Sequence, residues 1–233
     1  MVLIDTGIGL QDIAKPLERI GQQAIEAAGY QFHERLTAAR QIEALGFQVR
    51  QVTDIILTHG DPDHAGGLAD FPEATVHVAA EERAQITSGH LRYSPAQFDH
   101  QPRWVAHAPS SDDWFGLEGR PLPLGEGIEV RLVPLFGHTH GHCGVAVGLG
   151  DRWLLHAGDA YYLRVELFSD DHPVSKLAAL RADDNARRCH SLAALRRLIR
   201  DHSSKVEVCG YHDFQEFPRG MTSVAPEMAH RPA

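Results

Sequence analysis

The stretch Thr58-His59-Gly60-Asp61-Pro62-Asp63-His64 constrains this chain more than any other. It follows the apolar run Ile55-Ile56-Leu57 and leads into Ala65-Gly66-Gly67-Leu68. The run reads as a buried strand. A strand's end is a rigid platform from which a loop can aim several side chains at one point. His59, Asp61, Asp63 and His64 are such side chains, and imidazole together with carboxylate suits zinc, iron or manganese rather than calcium. A fold built around this stretch must bring the remaining ligands to it from elsewhere in the 233 residues.

That length allows a sizeable core, in one large domain or two small ones. The net charge is -9 and no Lys/Arg run is present, which argues against nucleic acid as a partner. The N-terminus lacks a basic region followed by an apolar one, and no window approaches a membrane span. A cytoplasmic protein with a small-molecule substrate is expected. The three cysteines, Cys143, Cys189 and Cys209, are odd in number and far apart, so no disulfide framework or CxxC site can be read. Cys143 and Cys209 lie in apolar runs and read as buried small hydrophobes. Sixteen histidines is the abnormal count. It favours chance clusters as well as metal sites, so spacing and context must decide.

Along the chain, Val2-Leu3-Ile4 reads as a strand turning at Asp5-Thr6-Gly7, and residues 11–28 as a broken helical excursion. Phe32, Leu36, Ala39, Ile42 and Leu45 recur at helical spacing until Gly46. A short helix is expected at 65–69, a strand at 75–78, and a helix at 79–87 with Glu81 and Glu82 in its first turn, where the dipole favours them. Residues 88–120 read as a loop-rich insertion carrying Tyr93, Trp104, Trp114 and Phe115. It is either a lid or pocket wall, or a surface excursion with its own small cluster. Strands are predicted at 128–133, 143–149, 152–156 and 206–208, the middle pair forming a hairpin across Gly150-Asp151. Asp183-Asp184 open a helix whose buried face is predicted to be Cys189, Leu192, Leu195 and Ile199, with Arg196, Arg197 and Arg200 on a solvated face. No linker or repeat is evident, so 1–219 reads as one domain and 220–233 as a tail.

Four clusters now stand at strand ends: residues 59–64, His138 to His142, Asp159, and His212. In this order they resemble the metallo-β-lactamase superfamily, whose pattern is HxHxDH after a strand, a GHTxGH-like turn, Asp in a GD turn and a late His. The match covers nearly the whole chain. It implies an α+β fold, the αββα sandwich of two mixed sheets flanked by helices, with the site at one sheet edge. Carried over by position, His59 and His138 would bind a first metal, Asp63, His64 and His212 a second, and Asp159 would bridge them. The resemblance implies two divalent ions, zinc foremost, holding a hydroxide that attacks the substrate. The family's members usually carry one or two strands before the segment matching Val2 to Gly7. Either the first sheet is short here or the native start lies upstream of Met1, and a bare sheet edge would invite a homodimer.

The departure is Asp61, where the family usually has a histidine. Direct ligation by Asp61 is the first expectation and would favour iron or manganese; the related flavodiiron proteins also place a carboxylate there. A weak first site, leaving one ion at Asp63, His64 and His212, and substitution by His140 are the alternatives. His142 is expected to orient its loop through hydrogen bonds, Asp5 to stabilise a turn beneath the site, and Asp213 to support the site or cap its turn. His77, His107 and His156 read as structural. Tyr162 lies three residues after Asp159, an offset at which the superfamily's acyl-homoserine lactonases look similar, so Asp63 and Tyr162 are the expected catalytic residues. The reading is a metal-dependent hydrolase of an ester or lactone. A glyoxalase-II-like thioesterase, a di-iron redox protein and a non-catalytic metal-binding protein are the competing readings.

Overall fold

Side chains that alternate between two buried faces explain why the strands read as unbroken apolar runs. The computed structural model describes residues 1–125, 127 and 129–216. Residue 128, the expected start of one strand, and residues 217–219 with the tail 220–233 lie outside the described residues. The first sheet runs in the order β1 (Val2–Ile4), β2 (Asp54–Ile56), β3 (Thr75–Ala79), β4 (Arg103–His107), all parallel. A small antiparallel hairpin, β5 (Asp113–Trp114) and β6 (Leu117–Glu118), leads to the second sheet. That sheet comprises β7 (Arg120–Pro121), β8 (Val130–Pro134), β9 (Cys143–Leu149), β10 (Arg152–His156) and β11 (Val206–Cys209). Its order is β11-β10-β9-β8-β7, antiparallel except for the β10–β11 pair.

Three apolar clusters separate four layers. Ile56 and Ala79 of the first sheet meet Leu132, Cys143 and Val145 of the second, so the sheets pack face to face. On the outer side of the first sheet, Ile55, Val76 and Val78 pack with Ala39, Ile42 and Leu68. On the outer side of the second, Val133, Ala146, Leu155 and Val208 pack with Leu192, Leu195 and Leu198. Neighbours such as Ile55 and Ile56 therefore belong to different clusters, the period-2 pattern of a strand buried on both sides. The result is the expected αββα sandwich.

The helices are α1 (Leu10–Ala14), α2 (Pro16–Arg19), α3 (Gln22–Ala28), α4 (Ala38–Ala44), α5 (Pro62–Ala65), α6 (Ala80–Thr87), α7 (Val174–Arg181) and α8 (Asn185–His202). The Asp184 side chain caps α8 by accepting from Arg187 N–H at 3.0 Å. Leu192, Leu195 and Leu198 then bury its inner face, each contributing roughly 1.5–3 kcal/mol. Cys189, expected on that face, is exposed; the buried stripe runs one position earlier, through Arg188. The helix expected from Phe32 to Leu45 breaks at Thr37, which is extended (φ -66°, ψ 149°) and caps α4. Only Ala39 and Ile42 of that periodic set are buried, and Leu45 is 72 % exposed. No helix among the described residues is long and apolar enough to cross a membrane.

Candidate metal centre

Strand direction brings the clusters together. β8 and β10 both run antiparallel to β9, and β11 runs parallel to β10, so all three end at the same edge. The loops leaving them carry His138, Asp159 and His212, and the loop leaving β2 in the facing sheet carries His59 to His64. Asp159 lies at the middle. Its Oδ1 is 3.1 Å from His64 Nε2, and its Oδ2 is 3.1 Å from His212 Nε2 and 3.4 Å from His138 Nε2. Asp63 Oδ2 is 3.9 Å from His64 Nε2 and 3.8 Å from His212 Nε2. On the other side, Asp61 Oδ2 is 3.4 Å from His59 Nε2 and 3.2 Å from His138 Nε2.

The rings are aimed by what holds their far nitrogens. Asp5 Oδ2 accepts from His64 Nδ1 at 2.7 Å and from the Thr58 hydroxyl at 2.8 Å, while Asp5 Oδ1 accepts from Thr58 N–H. With its hydroxyl hydrogen donated to Asp5, the Thr58 oxygen accepts from His59 Nδ1 at 3.0 Å. His59 Nε2 and His64 Nε2 are then buried and without a hydrogen-bond partner among the described residues, as is Asp159 Oδ1. These three buried atoms lie within 4.8 Å of one another, a grouping that suits a cation. A carboxylate behind a ligating histidine is the usual support of a metal site. Asp5 therefore does more than stabilise a turn.

His142 donates from Nδ1 to the Leu135 carbonyl and accepts Asp159 N–H at Nε2, both at 2.9 Å. Both nitrogens are engaged, so it orients the Asp159 loop and has no lone pair left for a metal. Burial and the neighbouring His59 and His138 hold it well below the ordinary histidine range, hence neutral. Burial opposes charge on His64 too, but Asp159, Asp5 and Asp63 outweigh it and raise its pKa well above the usual value. Glu82 ties two loops together. Its carboxylate accepts from Gly60 N–H (2.8 Å), the Tyr93 hydroxyl (2.7 Å), the Thr139 hydroxyl (2.6 Å) and Gly141 N–H (3.2 Å). Gly141 passes so close to the backbone of Glu82 that a Cβ there would clash. Tyr211 lays its ring over His64, centroids 4.1 Å apart, and donates to the Asp63 carbonyl at 2.8 Å.

The donor set around Asp63, His64, Asp159 and His212 fits a divalent ion. Nitrogen and carboxylate oxygen lie 3.1–3.9 Å apart there. A tetrahedron with bonds of about 2.0–2.1 Å has edges of about 3.3–3.4 Å. The position among His59, Asp61 and His138 has the donors but also a guanidinium. Arg92 donates from Nε to Asp61 Oδ1 and from Nη2 to Asp61 Oδ2, both at 2.7 Å. Burial alone would raise the Asp61 pKa, yet the charge of the Arg92 guanidinium outweighs it and holds that carboxyl well below the usual range. His140 does not approach Asp61's position; it groups with His90 and Asp183. His77 pairs with Asp54 and His107, away from the site; Asp213 accepts from Gln215 N–H in its own turn and from Arg164 N–H in the loop after Tyr162, each at 2.9 Å.

A cavity of about 490 Å³ opens onto the centre. Asp61, Asp63, Asp159, Tyr162, Tyr211 and His212 form its floor, and Ala27, Ala28, Leu163, Val174, Leu177 and Arg181 its walls. The walls thus come from α3, α7 and the loop carrying Leu163, not from residues 88–120. That segment instead contains the edge strand β4, buries Trp114 in the core, and sends Arg92 to the site. Tyr162 faces both sides of the centre, its ring 5.9 Å from His138 and 5.2 Å from His212. Tyr30, unforeseen from the sequence, donates to Asp63 Oδ1 at 3.3 Å.

Residues 1–201 match the profile of the Metallo-beta-lactamase superfamily. The chain belongs to this superfamily. It is 47% identical over 173 residues to the Mycobacterium tuberculosis protein "Probable metallo-hydrolase Rv2300c" and equally to "Probable metallo-hydrolase Mb2322c" of Mycobacterium bovis. The match takes in 70% of this chain and 54% of each relative, so the chain spans about half the length of these relatives. Solved metallo-β-lactamase folds are similar at lower identity. An N-acyl homoserine lactone hydrolase with N-hexanoyl-L-homoserine at its metal centre aligns with a TM-score of 0.67 at 20% identity, over 92% of this chain and 77% of that one. AidC, a dizinc quorum-quenching lactonase, aligns with a TM-score of 0.59 at 18% identity, over 91% and 68%. These likenesses establish the fold, and the profile match establishes the superfamily.

Proposed function

We propose that the protein hydrolyses an ester or lactone of a small molecule at a divalent-metal centre held by Asp63, His64, Asp159 and His212, with zinc the foremost ion. The observation that carries this is Asp159, whose two oxygens reach His64 and His212 at 3.1 Å on the floor of the cavity. When bound, a divalent cation at such a centre makes water a strong nucleophile near neutral pH and polarises a carbonyl oxygen. The chain's own residues supply the rest. Asp63 and Asp159 balance the charge, Asp5 fixes His64, and Tyr162 presents a hydroxyl to negative charge developing on the substrate. Burial, then the carboxylates of Asp159 and Asp61, push the Tyr162 phenol above its ordinary pKa, so it remains a donor. The aliphatic side of the cavity, Leu163, Val174 and Leu177, suits an acyl chain. The lactonase likeness supports the same class, since one such relative holds an acylated homoserine at its metal centre. The three free thiols fit a reducing, cytoplasmic setting.

Zinc-loaded protein assayed against acyl lactones, aryl esters, thioesters and phosphodiesters tests the reading. Hydrolysis of a lactone or ester that disappears in Asp63→Ala and His64→Ala is expected. A zinc-loaded protein inert towards every lactone and ester would sink the proposal, and turnover of thioesters alone would favour the glyoxalase-II-like alternative.

A further inference from the structure

The position among His59, Asp61 and His138 is already served by a cation of the chain itself. Arg92 spans Asp61 with two parallel bonds of 2.7 Å, and the same Nη2 donates to His138 Nε2 at 2.9 Å. Its remaining nitrogen, Nη1, donates to the Arg181 carbonyl at 2.8 Å and to Asp183 Oδ1 at 3.0 Å. All three corners of the planar group are engaged, and its side chain is 16 % exposed. Such a fork is fixed in place and stays charged at any working pH.

The decisive point is the lone pair on His138. An imidazole nitrogen has one, in the ring plane, and a guanidinium can only donate. The lone pair that would bind a metal at His138 Nε2 therefore points into an Arg92 N–H. Both oxygens of Asp61 are likewise covered by Arg92. The two positions differ: of His59 Nε2, His138 Nε2 and the Asp61 oxygens at the first, only His59 Nε2 is left without a hydrogen-bond partner, whereas on the other side of Asp159 both His64 Nε2 and Asp159 Oδ1 lack one among the described residues. We propose that Arg92 is the resident cation of the first position, so that the protein takes a single divalent ion, at Asp63, His64, Asp159 and His212. Arg92 is then a positioning residue. It replaces the charge of a first metal, holds Asp61 against His138, and leaves the bound ion's neighbour fixed. The inference rests on reading the cluster as a hydrolase metal centre. It also gives the aspartate at residue 61 a physical reason, because a carboxylate accepts a guanidinium fork and an imidazole does not.

The test is zinc stoichiometry, independent of turnover. Wild-type protein, Arg92→Ala and Arg92→Lys are stripped with chelator, reloaded with zinc and analysed for metal content, and Kd values are read by competition with a chromophoric chelator. One equivalent is expected in the wild type and in Arg92→Lys. A second equivalent is expected in Arg92→Ala, with a Kd at least tenfold below any second binding by the wild type. Two equivalents in the wild type would overturn the proposal, and this arm holds even if Arg92→Ala does not fold. One equivalent in both wild type and a folded Arg92→Ala would overturn it too. Zinc bound by none of the three would remove the hydrolase reading along with it.

Discussion

Glu82 offers the sharpest test of how the site is held. Its carboxylate is buried in α6 and is shared by the loop of His59 and the loop of His138, through Gly60, Tyr93, Thr139 and Gly141. In Glu82→Ala the Tyr93 and Thr139 hydroxyls can turn to other partners, but the N–H groups of Gly60 and Gly141 cannot. A hydrogen bond to a charged acceptor contributes roughly 1.5–3 kcal/mol, and a buried N–H left bare costs about 1–3 kcal/mol. Two such losses, offset in part by no longer burying a carboxylate, predict a destabilisation of roughly 3–5 kcal/mol. Glu82→Gln keeps one accepting oxygen and turns an amide against the other glycine, so it should lose about half as much, roughly 1.5–3 kcal/mol. Urea denaturation of the metal-stripped proteins measures both without the contribution of bound metal. An Ala variant within about 1 kcal/mol of wild type, well below the range of a single lost charged bond, would refute the reasoning. So would a Gln variant as damaged as Ala.

Three further outcomes follow from the same contacts. Asp5→Asn leaves His64 without its carboxylate partner and should weaken zinc binding by about 10–100-fold in a chelator competition, with the fold intact by circular dichroism. Tyr162→Phe should lower kcat by about 100-fold with KM little changed, if the phenol stabilises developing charge; an unchanged kcat would make it a wall residue only. Burial, with the nearby Asp12 carboxylate, pushes Asp70 from 3.8 to about 6. The fold therefore prefers Asp70 protonated, a contribution fully present below about pH 4 and lost as pH rises through about 6. Relative to wild type, the Tm of Asp70→Asn should rise between pH 4.5 and pH 7.5, and a constant difference would contradict that.

Much of the fold was legible because the sheets are buried on both sides. Ile55-Ile56 and Val145-Ala146 announce themselves as apolar runs, and each ends where a ligand cluster or a neighbouring strand begins. The placement of His59, Asp63, His64, His138, Asp159 and His212 was legible for the same reason, since each follows such a strand. Elements lacking a continuous apolar signal were missed. β4 is an edge strand with Arg103 and His107 at its ends and little buried surface, so it read as loop. α7 buries only Ala178 and leaves Leu177 and Leu180 exposed, so no helical face stood out. The residues that hold the site were hidden by distance along the chain. Glu82 and Thr139 are 57 residues apart, and Arg92 and His138 are 46 apart. Nothing local to Glu82 separates it from Glu81, which pairs with Arg120 instead. Asp61 shows the limit most clearly, because its partner was in a segment read as a lid or excursion.

The hydrolase reading requires a divalent ion between Asp159 and the two histidines flanking it, His64 and His212. Anomalous diffraction at the zinc edge, from crystals grown with zinc, tests it directly. One strong peak is expected within bonding distance of His64 Nε2, Asp159 and His212 Nε2, with the Arg92 guanidinium on Asp61. A second peak at His59 and His138 would overturn the role given to Arg92 while leaving the metal centre standing. No peak at His64, Asp159 and His212 would mean that these residues hold no zinc and would contradict the metal centre itself.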